Sequence, residues 1–289
     1  MARPRSPALA LLRAGLRVGL LAALLHPGRP AAAAAGSAGE ARTPAELLEL
    51  PADRPLRAGF LLVDGVFDTE LVAPLDVLEH AGPHTRTGVE AITISPDGKP
   101  VTTAEGLRIV PHHGFADAPP LDILVVPSAE ESRGALLEDR DLLGWLAKAA
   151  GEARFIVGLC WGSFVLAEAG LLDGRSATTF PADYDRFGRR YPDVHVRVNV
   201  SFVHDGRFLT SQGGVPGYDV AMYLVDLLYG PRVAKTVGAG LLIPWPPDPD
   251  TGPAFVSDPA FLRGADRRPP APAFPPPRDP AAAATSPDG

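Results

Sequence analysis

The chain has 289 residues, a formal net charge of −7 and one cysteine. This length suits one sizeable domain with extra segments and leaves too little chain for two full domains. The acidic balance repels phosphate backbones, so we expect no nucleic acid partner. A single cysteine excludes intramolecular disulfides, and a lone thiol in an oxidising compartment needs either burial or a function.

Residues 1–35 have the order of features of a signal peptide. Arg3 and Arg5 form a basic start, residues 18–25 are apolar, and residues 31–35 are all alanine. The apolar stretch is short for a membrane span. We therefore predict an exported protein, periplasmic or secreted, that is not stably inserted in a membrane once this segment is cleaved. An uncleaved anchor and a disordered leader are the alternatives.

The pattern that follows is typical of a linker leading into an α/β domain at 57–245. Residues 36–56 have no strand-like period and indicate a linker or a short helix. Apolar runs of strand length then alternate with segments of helical period, which predicts a mostly parallel sheet covered on both faces. The predicted strands are 57–64, 89–95, 108–110, 121–127 and 154–160, and the predicted helices are 69–80, 141–150 and 163–169.

The last third of the chain changes character. Residues 195–203 and 207–211 alternate around Asp205 and Gly206, which predicts a β-hairpin. Residues 218–229 and 231–240 have the spacing of two helices. Proline is frequent from 246 to 289, and this composition predicts an extended or disordered tail.

Cys160 lies in the sequence Gly-Leu-Cys-Trp-Gly-Ser at 158–163, between a predicted strand and a predicted helix. A side chain on such a turn lies at the carboxyl edge of a parallel sheet, where binding crevices form. The backbone N–H groups of the next helix favour a thiolate and can hold an oxyanion. The alternative is a buried structural cysteine, although glycines on both sides favour a turn.

Several segments in order resemble the ThiJ/PfpI superfamily, also called the DJ-one/PfpI superfamily, of class I glutamine-amidotransferase-like proteins. They are the nucleophile-elbow segment at 157–175 with the Ala-Thr-Thr at 177–179, and the segments 60–78, 121–127 and 202–217. The match is closest to the branch of isonitrile hydratases and the sensor domains of AraC-type regulators. The resemblance implies a flavodoxin-like three-layer α/β sandwich with a nucleophile-elbow cysteine.

The same resemblance implies roles for individual residues. It makes Cys160 the nucleophile and Glu70 the acid that hydrogen-bonds its sulfur and moves a proton. Burial beside a thiolate would keep that carboxyl partly protonated. The resemblance also implies a homodimer.

Three departures from the family pattern affect the site. Phe180 stands where many members have a histidine, so a protease-type Cys-His pair is absent there. Ser128 and Ala129 replace a Gly-Gly pair whose N–H groups line the oxyanion site, so we expect an oxyanion site of altered shape. Trp161 stands where small hydroxyl residues are common, and its indole narrows the substrate pocket or lies at a subunit interface.

Other residues that can bind metals or phosphate have structural explanations. His112 and His113 are adjacent on a strand and point to opposite faces, and His204 is expected to face solvent beside the hairpin turn. Gly213 and Gly214 lack the lysine and spacing of a phosphate loop and predict a turn into the next helix. We therefore expect no metal and no cofactor.

Three functions fit this sequence. The first is a hydratase or hydrolase in which Cys160 adds to a small electrophile, such as an isonitrile, an aldehyde or an activated carbonyl. The second is a non-catalytic module that binds a small molecule, as in AraC-type regulators. The third is a redox-responsive protein in which Cys160 is oxidised to a sulfinate.

Overall fold

The computed structural model describes residues 42–247, 254–258 and 260–261. The predicted signal peptide at 1–35 lies outside the described residues, and so does most of the predicted tail, so export stays a prediction. Within the described part, no helix is both long enough and apolar enough to cross a membrane.

A central sheet of eight strands organises the fold. Its strands are β1 (Leu56–Leu61), β2 (Val89–Ser95), β5 (His113–Gly114), β6 (Ile123–Val126), β7 (Phe155–Leu159), β10 (Phe202–Asp205), β11 (Phe208–Ser211) and β12 (Phe255–Val256). Their order is β12-β10-β11-β7-β6-β1-β2-β5, and every pair is parallel except the β10–β11 hairpin. The mostly parallel α/β sheet and the hairpin are thus confirmed.

Two short ribbons flank this sheet. One pairs β3 (Val101–Thr102) with β4 (Arg108–Ile109), and the other pairs β8 (Ser176–Ala177) with β9 (His195–Val196). The ribbon of β8 and β9 follows the elbow segment and contacts β10 and β11.

Five of the seven α-helices in the described part form two packed groups. The seven helices are α1 (Pro44–Leu48), α2 (Asp68–Ala81), α3 (Arg140–Glu152), α4 (Gly162–Glu168), α5 (Tyr184–Arg190), α6 (Pro216–Tyr229) and α7 (Pro231–Leu241). Helices α2, α6 and α7 pack on one another, and α3 packs on α4, which lies against β6 and β7. The central strands β6 and β7 are buried along their whole length. Their continuous apolar runs predict this for a sheet that is covered on both faces.

The segments on either side of the domain are more ordered than composition indicates. Helix α1 has a capping box between Thr43 and Glu46, and its Leu47 is buried, so the short-helix alternative for 36–56 applies there. The described residues of the tail are ordered: Phe255–Val256 form the extended strand β12, which pairs with β10, and Phe261 is buried. Without β12, the side of β10 that faces away from β11 would be an exposed strand edge. Pairing with that edge and burial of Phe261 explain why this segment of the tail packs on the domain.

Candidate active site at Cys160

Cys160 follows β7 in a strained backbone conformation. Its φ is 51°, in the left-handed region that residues other than glycine rarely occupy. The strain is held by two hydrogen bonds: the Cys160 N–H donates to Ser211 O at 2.9 Å, and Thr179 Oγ1 donates to Cys160 O at 2.7 Å. The predicted strand–turn–helix elbow is therefore present, and α4 begins two residues later at Gly162.

Gly162 is required by the close approach of α4 to the end of β6. A Cβ at this position would collide with the carbonyl oxygen of Val126. The helix therefore starts against the strand end with no room for a side chain. This packing fixes the backbone that carries the sulfur.

Glu70, in the first turn of α2, lies next to Cys160. Its side chain is buried, and Oε1 accepts a hydrogen bond from the Gly214 N–H at 2.7 Å. Its other oxygen, Oε2, is buried and has no hydrogen-bond partner among the described residues. Gly213, with a φ of 84°, lies against both side chains, since a Cβ there would collide with both Glu70 Oε1 and Cys160 Cβ.

The electrostatics of this pair favour protonated forms. Burial raises the pKa of Glu70 to about 7, and the Gly214 N–H opposes the rise only in part. Burial and the charge of Glu70 raise the pKa of the Cys160 thiol to about 12, against the smaller opposing effects of Ser128 and the Trp161 backbone N–H. These effects favour a neutral thiol at rest, whereas the elbow pattern alone favours a thiolate.

The two predicted oxyanion residues differ in their hydrogen bonding. The Ala129 N–H donates to Ser132 Oγ at 2.8 Å within its own turn, and its role at an oxyanion site stays a prediction. The Ser128 hydroxyl is fully buried and, within the described part, has no hydrogen-bond partner of good geometry. It still lies close enough to the sulfur to lower the pKa of Cys160. The Trp161 backbone N–H has the same effect, so it lies close to the sulfur.

Trp161 carries a cluster that the sequence did not reveal. Its Nε1 donates to Asp183 Oδ2 at 2.9 Å, and the guanidinium of Arg133 lies 3.6 Å from the centre of its indole. Phe67 and Phe180 meet the indole edge to face, at centroid distances of 5.9 and 6.2 Å. Phe180, which replaces the family histidine, therefore contacts the aromatic cluster and supplies no base.

The histidines of the described part lie in other surroundings. The expectation that His204 faces solvent is wrong, because the side chain is fully buried; Nε2 bonds Gly206 O at 2.7 Å and Nδ1 bonds the Tyr223 hydroxyl at 2.9 Å. Burial lowers the pKa of His204 to about 4, so it is neutral at ordinary pH. His112 bonds Thr93. No group of three His, Cys, Asp or Glu side chains in this part of the chain could hold a metal ion.

Known proteins are similar to this chain in sequence and in fold. Isonitrile hydratase of Pseudomonas putida is 36% identical over 216 residues, which cover 73% of this chain and 90% of that protein. The transcriptional regulator CdhR of Pseudomonas aeruginosa is 32% identical over 178 residues, which cover 62% of this chain and 52% of the regulator. A crystal structure of an AraC family regulator from Pseudomonas putida superposes with a TM-score of 0.56 at 27% identity, covering 65% of this chain and 100% of that one. The model described as DJ-1/PfpI family matches residues 56–226, and the chain belongs to this family.

Proposed function

We propose that this protein hydrates a small isonitrile to the corresponding N-substituted formamide, with Cys160 as nucleophile and Glu70 as proton donor. The observation that carries the proposal is the buried Glu70 carboxyl, which touches the same glycine as Cys160 and has a free oxygen, Oε2, among the described residues. The likeness to isonitrile hydratase over 90% of that protein's length supports it.

The chemistry needs an acid and a thiol together. The terminal carbon of an isonitrile takes a proton from Glu70, the sulfur of Cys160 bonds to that carbon, and the thiol proton passes to the carboxylate. The product is a thioimidate. Water then adds to its carbon, the carbon–sulfur bond breaks, and the sulfur regains its proton as the formamide leaves. The sum is one isonitrile plus one water giving one formamide.

The protonation states of the resting site suit this order of events. A carboxyl with a pKa of about 7 is still protonated in part of the molecules at neutral pH. A thiol with a pKa of about 12 retains its proton until the carbon has become electrophilic. Peptide hydrolysis would instead require a base to activate the thiol, and Phe180 occupies the position where the family has a histidine.

The test is hydration of a simple alkyl isonitrile, followed by NMR detection of the formamide. We expect Cys160→Ser to lower turnover by roughly 10³-fold or more, because the nucleophile is lost. Glu70→Gln should lower it by about 10²-fold or more, because the proton donor is lost. Glu138→Gln, at an exposed glutamate, is the matched control and should leave turnover unchanged. Unchanged turnover in Cys160→Ser would refute the proposal.

The second candidate is a module that binds a small molecule without turning it over. It is favoured by the likeness to CdhR, a transcriptional regulator. A ligand that raises the melting temperature equally in the wild type and in Cys160→Ser, with no product formed, would support it over catalysis. Homodimerisation, export and the lack of a nucleic acid partner stay predictions.

A further inference from the structure

Cys160 is enclosed in this conformation. Its exposed fraction is 8%. The cavities of about 410 Å³ beside Arg54 and about 350 Å³ beside Tyr184 do not have Cys160 in their walls. An electrophile therefore has to reach the sulfur past the side chains that enclose it. Trp161 is the next residue in the chain and is only partly buried, and its partner Asp183 is close enough to the thiol to affect the pKa of Cys160.

One carboxylate holds the indole and two loops together. Asp183 Oδ2 accepts from Trp161 Nε1 at 2.9 Å and from Arg133 Nη1 at 3.0 Å, while Oδ1 accepts from the same Arg133 atom at 2.8 Å. Arg133 ends the turn that follows Ser128, and Asp183 ends the turn that follows Phe180. The ion pair thus joins two loops, one at the face of the indole and one at its N–H edge.

The pair is well shielded from water. The exposed fractions of the side chains are 29% for Arg133 and 10% for Asp183. A charged pair at this depth is worth more than a surface ion pair, so its loss should free the indole measurably. The stacking of Arg133 on the indole adds to the same restraint.

We propose that Asp183 and Arg133 are positioning residues that latch Trp161 beside the thiol and so limit the width of the electrophile that reaches Cys160. The inference rests on one part of the proposed function, that Cys160 is the reacting atom. It does not depend on which electrophile is turned over. Narrow electrophiles pass the latched indole, and electrophiles that carry a wide substituent require it to move.

Because Cys160 is the only cysteine, its alkylation can be followed without ambiguity. The probes are N-methylmaleimide and N-cyclohexylmaleimide, which share one reaction and differ in width. In each, the sulfur bonds to one alkene carbon and the thiol proton goes to the other, so no co-reactant is needed. Intact mass, measured over time at one mildly alkaline pH, gives both rate constants.

The readout is the rate constant for the wide reagent divided by that for the narrow one. Asp183→Ala should raise this ratio about tenfold, the effect of losing the charged hydrogen bonds that hold the indole. The charge of Asp183 also raises the pKa of Cys160, so its removal speeds both reagents, but that effect cancels in the ratio. Asp185→Ala removes an exposed carboxylate two residues away and should leave the ratio unchanged.

A second variant keeps the test decisive if Asp183→Ala does not fold. Trp161→Phe keeps an aromatic ring but loses the N–H that Asp183 accepts, and it should raise the ratio as well. A ratio within about twofold of the wild type in a folded variant, judged by near-UV circular dichroism, would overturn the latch. Failure to hydrate isonitriles, with the ratio changed as expected, would refute the proposed activity and leave the latch standing.

Discussion

Two buried carboxyl groups, at opposite ends of the central strands, differ in how many hydrogen bonds and positive charges compensate their burial. Asp122, beside the start of β7, accepts hydrogen bonds from the guanidiniums of Arg54 and Arg154 and from the Arg57 N–H. Glu70, near the carboxyl ends of the strands, accepts one hydrogen bond from the Gly214 N–H. Its second oxygen has no partner among the described residues. The two groups are equally buried, with exposed fractions of 5%.

Their compensation sets the direction of each pKa. Burial alone would raise the pKa of Asp122, but the hydrogen bonds from Arg54 and Arg57 outweigh it and hold the pKa below its usual value. For Glu70, burial prevails and the pKa rises to about 7. A satisfied carboxylate stabilises the fold, whereas an under-compensated one keeps its proton available for chemistry.

The largest effect on stability is expected from Asp122→Ala. Removing this carboxylate leaves Arg54 and Arg154 without a counter-charge, and we expect a loss of about 3 kcal/mol in the free energy of unfolding at neutral pH. The lowered pKa means that the contribution of Asp122 is present above its ordinary pKa and disappears as the pH falls through the folded-state value. Urea unfolding measures the loss. Asp193→Ala, at an exposed carboxylate, should change stability by less than about 0.5 kcal/mol.

Glu70 contributes a pH dependence of the opposite sign, which Glu70→Gln should remove. The folded state keeps the Glu70 proton between pH 4.5 and about 7 while the unfolded state has lost it, so wild-type stability falls as the pH rises through this window. The amide of the variant cannot ionise. The free energy of unfolding of the variant should therefore rise relative to that of the wild type as the pH increases from 4.5 to about 7, and the difference should reach about 3 kcal/mol at higher pH. Urea unfolding at a series of pH values measures the difference. A stability difference that stays flat from acid to alkaline pH would mean that Glu70 is not the under-compensated group.

Gly213→Ala tests whether the contact between Glu70 and Cys160 is as close as described. The added Cβ meets both side chains and the φ of 84° is strained for alanine, so we expect a loss of about 2 kcal/mol and a changed alkylation rate of Cys160. At Gly214 a Cβ would meet nothing within 4 Å, and its φ is 58°. Gly214→Ala should therefore cost about 1 kcal/mol of strain and leave the alkylation rate unaltered.

The smallest effect is expected from Arg54→Gln. The side chain of Arg54 is 46% exposed, and Asp122 keeps its other donors, so the loss should be about 1 kcal/mol or less and should shrink at high salt. Thermal unfolding at low and high ionic strength measures it. A loss as large as that of Asp122→Ala would mean that Arg54 alone compensates the buried charge of Asp122.

The parts of the site that depend on local sequence are predictable. The strand, the tight turn at Cys160 and the helix after it follow from one apolar run bounded by glycines, and the structure has all three. Glu70 is found only through family resemblance, because an acid in the first turn of a helix is usually only a favourable dipole contact. The structure places it beside Cys160, and its catalytic role stays a proposal.

The parts that depend on distant segments are not predictable in this way. Gly213 and Gly214 predict a turn, and only the folded chain brings their backbone against Glu70. Asp183 and Arg133 are 50 residues apart in the chain, so no spacing rule links them to Trp161. The turn after His204 favours a solvent-facing ring, yet Tyr223 and Phe261 cover it.

The pairing of β12 with β10 determines how far the carboxyl-terminal end of the chain can be removed. A chain that stops after α7 would present the bare backbone of β10 to other molecules and would uncover the ring of His204. Bare strand edges recruit further strands, so such a chain should self-associate. Soluble preparations should therefore retain the residues through Phe261.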